Sequence, residues 1–474
     1  MSNAIGRSRL MVLALVSVAF FFSLCMWNWY DISIFENWVR VSRDIKLYRL
    51  YEAPLLLHNM SYRVVYPPLP PIIYIATHWL AEAAISAVSS AGRALPWMGE
   101  VLAVATDYVV RAIIKLPLLL LSIALAALLA RKHGSEAFYW AIVGVPTIIT
   151  VANYQFDPIV AFSLYIAIVG LGMPRVGIYV SSLATSLVVL TKPLAALPLL
   201  PLLYYVYRER GARGLALYVT IASAAVLVVT LPFFLANPYA FVYNVVLFHS
   251  QRPPQYVSLW NLPVLLSNRD PTVVDLVNSI WLPTFLLTLT GTFVLLLKKG
   301  WVRSREDVVV STLVLMVIVL TFNKVVNPNY LLWAYPLVIH AAFNRGLRYR
   351  RGLISYNIAA VLSTLWGGLY MLIPALVNGV VTIEETGELL PARELVYKSL
   401  DSPLNETIQG IINLGERYYK YAKMVESYTN VIGAVLITAY CIVMFVLAAD
   451  LVKTFLRSRS APHPPTRRIP QSTS

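Results

Sequence analysis

Apolar runs long enough to cross a bilayer recur along most of this chain, and they restrict its architecture before any motif is considered. A crossing helix needs roughly 20 mostly apolar residues, because the hydrocarbon core is about 30 Å thick and a helix rises about 1.5 Å per residue. Candidate spans lie at 10–27, 67–88, 112–130, 137–153, 158–173, 176–191, 193–207, 215–235, 277–297, 307–322, 330–344, 353–377 and 429–450. Lipid offers no partner to a backbone N–H or C=O, so such a chain must fold as packed helices. Composition agrees: 58% of residues are hydrophobic and 13% charged, whereas about a quarter of a soluble domain is charged. The expected fold is all-α, a polytopic membrane protein of 12 to 14 transmembrane helices. Cys25 and Cys441 both lie in apolar runs, which argues for free thiols rather than a disulfide framework or a thiolate metal site.

The net charge of +15 would suggest nucleic acid in a soluble protein. Here the cations fall in short clusters between apolar runs, so they record topology and imply no nucleic-acid partner. Arg131 with Lys132, Arg175, Arg208 with Arg210 and Arg213, Lys298 with Lys299, and Arg345 with Arg348 fall on alternate connections, which reads them as cytoplasmic. The basic tail, 452–474, joins them and reads as disordered, leaving both termini inside a plasma membrane. Between 28 and 131 the chain must therefore cross an odd number of times. Residues 97–111 are too polar for a clear span and too apolar for a loop.

By this assignment the odd polar motifs share the outer side. They are WNWYDISIFENW at 27–38, NYQFD at 153–157, TKP at 191–193, HSQRPPQY at 249–256 and FNKVVNPNY at 322–330. Charges at a membrane boundary are functional candidates by default. Within the outer loop 28–66, residues 33–50 place Ile34, Trp38, Val41, Ile45 and Tyr48 at three- and four-residue steps, which predicts an amphipathic helix lying in the interface. A second outer loop, 379–428, precedes the last span at 429–451.

The order of these motifs, with SYRVVYPPLPP at 61–71 and LTKPLAALPLLPLLYY at 190–205, resembles the C-type (GT-C) glycosyltransferases over roughly residues 10–345. The closest likeness is to the GPI mannosyltransferase I catalytic subunit and related prokaryotic mannosyltransferases. The resemblance implies a GT-C transmembrane catalytic module over 1–378. It also implies transfer of a hexose, mannose first among them, from a polyprenyl (dolichyl) phosphate to a lipid, glycan or protein acceptor. The family's first loop carries an Asp-x-Asp-like pair; here Asp31 aligns with the second acid and Trp29 with the first. A single catalytic carboxylate is therefore expected, with no cofactor required and a divalent cation left as an option.

Such a transfer needs a base at the attacking hydroxyl and positive charge on the departing phosphate. Asp31 is the candidate base, its carboxyl raised by partial desolvation just past the first span, with Trp29 and Tyr30 able to stack on sugar faces. Asp31 could equally cap the helix that follows it. Gln155 and Asp157 could position a sugar hydroxyl, or Asp157 could cap its own helix. Lys192, Arg252 and Lys324 form the expected phosphate clamp, with Arg63 supporting the first loop; Lys192 could instead snorkel. Asn327 and Asn329 flank Pro328 and read as turn residues, Glu36 and Asp44 as a solvated face, and His249 has no second histidine at metal-ligand spacing.

Two other readings compete. A transporter or lipid-linked sugar flippase would carry ionisable residues deep in its spans or interrupted helices in repeated halves, and the runs show almost none of the former and no internal repeat. WNWYD is faintly similar to the WWDYG motif of oligosaccharyltransferases, but its residue order differs.

Overall fold

The computed structural model describes residues 29–56, 63–92, 99–345, 347–378, 380–382, 389–391 and 404–460. The expected span 10–27, Cys25 and the tail beyond 460 lie outside them, as do the side chains of Trp29 and Tyr30. The described residues are about 87% helical with almost no sheet. Its helices are α1 (Trp29–Asp44), α2 (Leu69–Gly92), α3 (Gly99–His133), α4 (Ser135–Val143), α5 (Val145–Ala152), α6 (Asp157–Gly170), α7 (Gly177–Thr191) and α8 (Leu200–Ala236). There follow α9 (Pro271–Lys298), α10 (Arg305–Phe322), α11 (Leu331–Arg345), α12 (Leu347–Asn378) and α13 (Leu404–Ser460).

Among the described residues five helices are long and apolar enough to cross a membrane: Val110–His133, Pro193–Ala236, Pro271–Lys298, Arg350–Ile373 and Lys420–Lys453. A sixth is reached if the bent pair α4 and α5 counts as one span. The protein is thus membrane-embedded, with fewer qualifying spans than the 12 to 14 expected. The difference lies in helices such as α6 and α7, which form where expected but are only 14 and 15 residues long. At about 1.5 Å per residue they reach little more than 20 Å.

Of three boundaries, one left open by the sequence is resolved, one differs from expectation and one forms as expected. Residues 97–111 form no separate crossing: 99–133 is one continuous helix of 35 residues. The outer segment before the last span is not divided from it, since α13 runs unbroken for 57 residues from Leu404 into the basic tail. The two runs 193–207 and 215–235 do separate, at Gly211, whose φ of 68° and ψ of −172° interrupt α8. The chain turns back there, because Tyr218 donates to Ser181 O on α7 (3.1 Å) while Phe233, farther on, packs edge-on against Tyr51.

In place of the helix expected over 33–50, an α-helix covers Trp29–Asp44 and a separate 3-10 turn Leu47–Glu52, and the α-helix does not lie free on a bilayer surface. Ile32, Phe35, Trp38 and Val39 of α1 are buried in protein, with Trp38 among Phe35, Tyr66, Tyr74 and Phe156. The partners are aromatic rings from segments distant in sequence, which periodicity along one helix cannot reveal. Ion pairing continues the match along α1 and α2: Glu36 faces His78 (3.1 Å), and Arg43 meets Glu82.

The largest core cluster centres on α6, α10 and α11, whose faces are buried nearly all round. At one end of this core Glu306 accepts from Lys132 Nζ (2.8 Å), His340 Nε2 (2.7 Å) and Asn344 Nδ2 (2.6 Å), tying α3, α10 and α11 together. At the other end a two-residue parallel ribbon, β1 (Gln255–Tyr256) with β2 (Val325–Val326), joins two loops. All the sequence-predicted site residues lie toward this second end.

Gly144, at the bend between α4 and α5, makes the packing test of this arrangement. A Cβ there would sit 1.9 Å from the Tyr335 hydroxyl oxygen, which itself donates to Trp140 O (2.8 Å). Gly144→Ala is expected to destabilise the protein by about 1–3 kcal/mol through overpacking, read as a lower thermal midpoint in detergent; an unchanged midpoint would show that the bend has room.

Candidate functional site

The site is assembled from helix ends. α5 stops at Ala152, the chain turns through Asn153, Tyr154 and Gln155, and α6 restarts at Asp157 with Pro158 in its first turn, where proline costs no hydrogen bond. Tyr154 takes a positive φ of 53° in this turn. Beneath it the fully buried Lys115 of α3 donates to Ala152 O (3.0 Å), a cation at a helix C-terminus. This intramembrane lysine, plain in the run IIKLPLL, escaped the sequence reading of the spans.

Asp157 is fully buried, and Trp333 Nε1 and Asn329 Nδ2 (2.7 Å) donate to its two oxygens. It therefore braces the loop before α11 rather than facing open space. Asn329 also donates to Gln155 Oε1 (3.2 Å), and Gln155 Nε2 in turn donates to Asp31 Oδ2. A continuous chain of side chains thus runs from Trp333 through Asp157, Asn329 and Gln155 to Asp31. Asn329, expected to be a turn residue, is the link between the two carboxylates.

Asp31 stands where two hollows meet, and Gln155 and Asn327 line both with it. The first, of about 80 Å³, is lined by Lys192, His249 and Arg252 and by Tyr66 and Tyr330. Lys192 lies over the faces of both tyrosines, 4.7 and 4.8 Å from the ring centres, so it is held by π-faces rather than snorkelling outward. Neither tyrosine was singled out from sequence, although both belong to motifs that were. Arg252 donates to Gln255 Oε1 (2.6 Å) on the ribbon, which fixes its fork beside the hollow.

The remaining cations separate. Lys324 lines neither hollow; it donates to Ser250 O (2.6 Å) and Asn278 Oδ1 (3.1 Å) and lies over Trp281, so only Lys192 and Arg252 of the expected clamp share a cavity. Burial, with Arg252 nearby, lowers the Lys324 ammonium to about 8. Arg63 packs over Phe248 and Tyr243, at 5.1 and 5.7 Å, joining the first loop to the surface helix of residues 238–251. His249 donates from Nε2 to Val65 O (2.8 Å), and burial together with Arg252 lowers its imidazole to about 4.

The second hollow, about 260 Å³, is lined by Asn153, Tyr256, Asn327, Asn329, Thr364 and Gly368 among others, and Asp31 is its one charged lining residue. Asn327, which lines both hollows, has a buried Oδ1 without a hydrogen-bond partner. Among the described residues no group of three or more His, Cys, Asp or Glu side chains is placed to hold a metal ion. No family model, curated protein or solved structure matches this chain.

Two measurements follow from this geometry. Trp333→Phe removes one donor from a buried carboxylate and is expected to cost about 2–4 kcal/mol in thermal unfolding, much less in an Asp157→Asn background; equal costs in both would mean the bond contributes nothing. With desolvation and Arg252 lowering the His249 imidazole to about 4, anion affinity of the first hollow should stay level from about pH 8 down to 5, the range in which an ordinary imidazole charges. A tightening centred near the ordinary histidine value would show that His249 gains a proton there and adds a third cation.

Proposed function

We propose that this protein is an integral membrane glycosyltransferase that moves a hexose, mannose in first place, from a polyprenyl (dolichyl) phosphate to a hydroxyl acceptor on the extracytoplasmic face. The observation that carries the reading is Asp31, held by Gln155 at the rim of a hollow that also contains Lys192 and Arg252. A base and two cations within one cavity are what glycosyl transfer from a lipid phosphate demands.

In the reaction so read, Asp31 accepts the proton of the acceptor hydroxyl as its oxygen bonds to the anomeric carbon. The bond from that carbon to the phosphate oxygen breaks, and the electron pair leaves with the polyprenyl phosphate beside Lys192 and Arg252. Those two side chains supply the charge that the clamp requires, and a divalent ion would find only one carboxylate lining this hollow.

The topology that goes with this reading places the Asp31 end outside and the Glu306 end in the cytoplasm, with the termini inside. Among the described residues between 28 and 131 one helix, Val110–His133, is long and apolar enough to cross, while the expected span 67–88 is not among the qualifying helices; a single crossing there would agree with the odd count read from the basic clusters. Reaching 12 to 14 crossings would require short helices such as α6, α7 and α11 to cross as well, at 14, 15 and 15 residues. That is possible only where the bundle shields their ends.

A transporter or flippase is the second reading, and Lys115 favours it. A buried cation against the end of the bent pair α4 and α5 is a feature of helices interrupted around a substrate. Lys115 lines neither hollow, however, which leaves the enzyme reading ahead.

The test is transfer by purified protein in nanodiscs from radiolabelled dolichyl-phosphate mannose to a membrane lipid extract, with a nucleotide sugar in parallel. Label should leave only the lipid donor, and Asp31→Asn should lower turnover at least about 100-fold while donor binding persists. Lys192→Ala and Arg252→Ala should each weaken donor binding about tenfold or more, and Lys324→Met by less than about threefold. Intact protein that moves no label from any polyprenyl donor would overturn the enzyme in favour of the transporter.

A further inference from the structure

The lining of the second hollow differs from that of the first. Asn153, Gln155, Asn327 and Thr364 present amides and a hydroxyl, Tyr256 an aromatic wall, and among the described residues no cation lines it. Its one charge is the Asp31 carboxylate, which an anionic guest would meet directly. Asn327, which lines both hollows, carries a buried Oδ1 without a hydrogen-bond partner, an acceptor of the kind a hydroxyl would satisfy. The hollow is also the larger of the two, about 260 Å³ against about 80 Å³.

One wall is built by a single helix face. Thr364, Gly367, Gly368 and Met371 of α12 recur at three- and four-residue steps along the hollow. The two glycines differ. A Cβ on Gly367 would come 3.0 Å from Pro328 Cγ, so it serves close packing against the loop before α11. A Cβ on Gly368 would meet nothing within 4 Å, so its missing side chain leaves space that the backbone does not need.

We propose that the hollow between α12 and the Asn327–Asn329 loop is the acceptor chamber, that it selects an uncharged polyhydroxyl group such as an unphosphorylated sugar, and that Gly368 sets the size it admits. This rests on reading Asp31 as the base, because the chamber and the cationic hollow share that carboxylate. An acceptor hydroxyl entering here approaches Asp31 from the side opposite Lys192 and Arg252. A guest bearing its own phosphate or carboxylate is rejected by the lack of any cation in the lining.

The experiment uses the full chain in nanodiscs, purified without glycoside detergent, and measures equilibrium binding of three probes: hexyl mannoside, hexyl glucuronide and dolichyl phosphate. Wild type should bind hexyl mannoside at least about tenfold more tightly than hexyl glucuronide. Gly368→Leu should weaken hexyl mannoside about tenfold or more and leave dolichyl phosphate within about twofold, and Lys192→Ala should do the reverse. Thr364→Leu, one turn away on the same face, is the second variant should Gly368→Leu fail to fold. Absent hexyl mannoside binding, equal affinity for the glucuronide, or indifference to both α12 variants would overturn the chamber. Should wild type bind hexyl mannoside in this pattern and not bind dolichyl phosphate, the chamber stands as a polyol site and the donor reading falls.

Discussion

A carboxylate with no access to water organises this end of the molecule. Asp157 is fully buried at the start of α6, and its oxygens take their bonds from Asn329 and Trp333 on the other side of the core. An unpaired carboxylate in such a place would be prohibitive, so the loop before α11 must come to it. Once it does, Asn329 is committed to Gln155 as well, and Gln155 to Asp31. The position of Asp31 is thus inherited from a buried residue some distance away. Asp31 itself sits on α1, while the residues that orient it belong to α6, the turn before it and the loop before α11.

The cationic side is built by a different device. Lys192 follows α7 at the point where the chain passes into a proline-led turn, and two tyrosine faces hold it. Tyr66 comes from the segment before α2 and Tyr330 from the loop before α11, so the cage closes only when three separate stretches meet. The β1–β2 ribbon performs the same service for Arg252, whose partner Gln255 is fixed by its pairing with Val325. Two hollows of unlike character then share Asp31, Gln155 and Asn327.

How much of this was legible beforehand differs from residue to residue. The helical membrane class followed from hydropathy, since lipid permits few other ways to satisfy a backbone. Gln155, Lys192 and Arg252 stood out because charges and amides are scarce in such a chain. Lys324 stood out for the same reason, yet it faces Ser250 and Trp281, because scarcity identifies a candidate and not its direction. The face of α1 was readable as amphipathic, but whether lipid or protein covers it depends on Tyr66, Tyr74 and Phe156, none of them near it in sequence. Lys115 was visible and passed over, its partner being a carbonyl that no motif announces.

The sequence by itself determined the class of solvent this protein lives in, the approximate location of most helical segments, and the small set of polar residues available for chemistry. These are local properties, set by apolar run length, by proline and glycine, and by the cost of charge in hydrocarbon. Tertiary structure alone decided which of those residues share a cavity. It put Lys192 with Arg252, left Lys324 outside, promoted Asn329 from a turn to a link, and opened beside Gly368 a hollow in which Asp31 is the one charged residue among the described lining. Those outcomes arise from packing between segments up to some two hundred residues apart, where shape and hydrogen-bond satisfaction are settled jointly and no single stretch carries the answer.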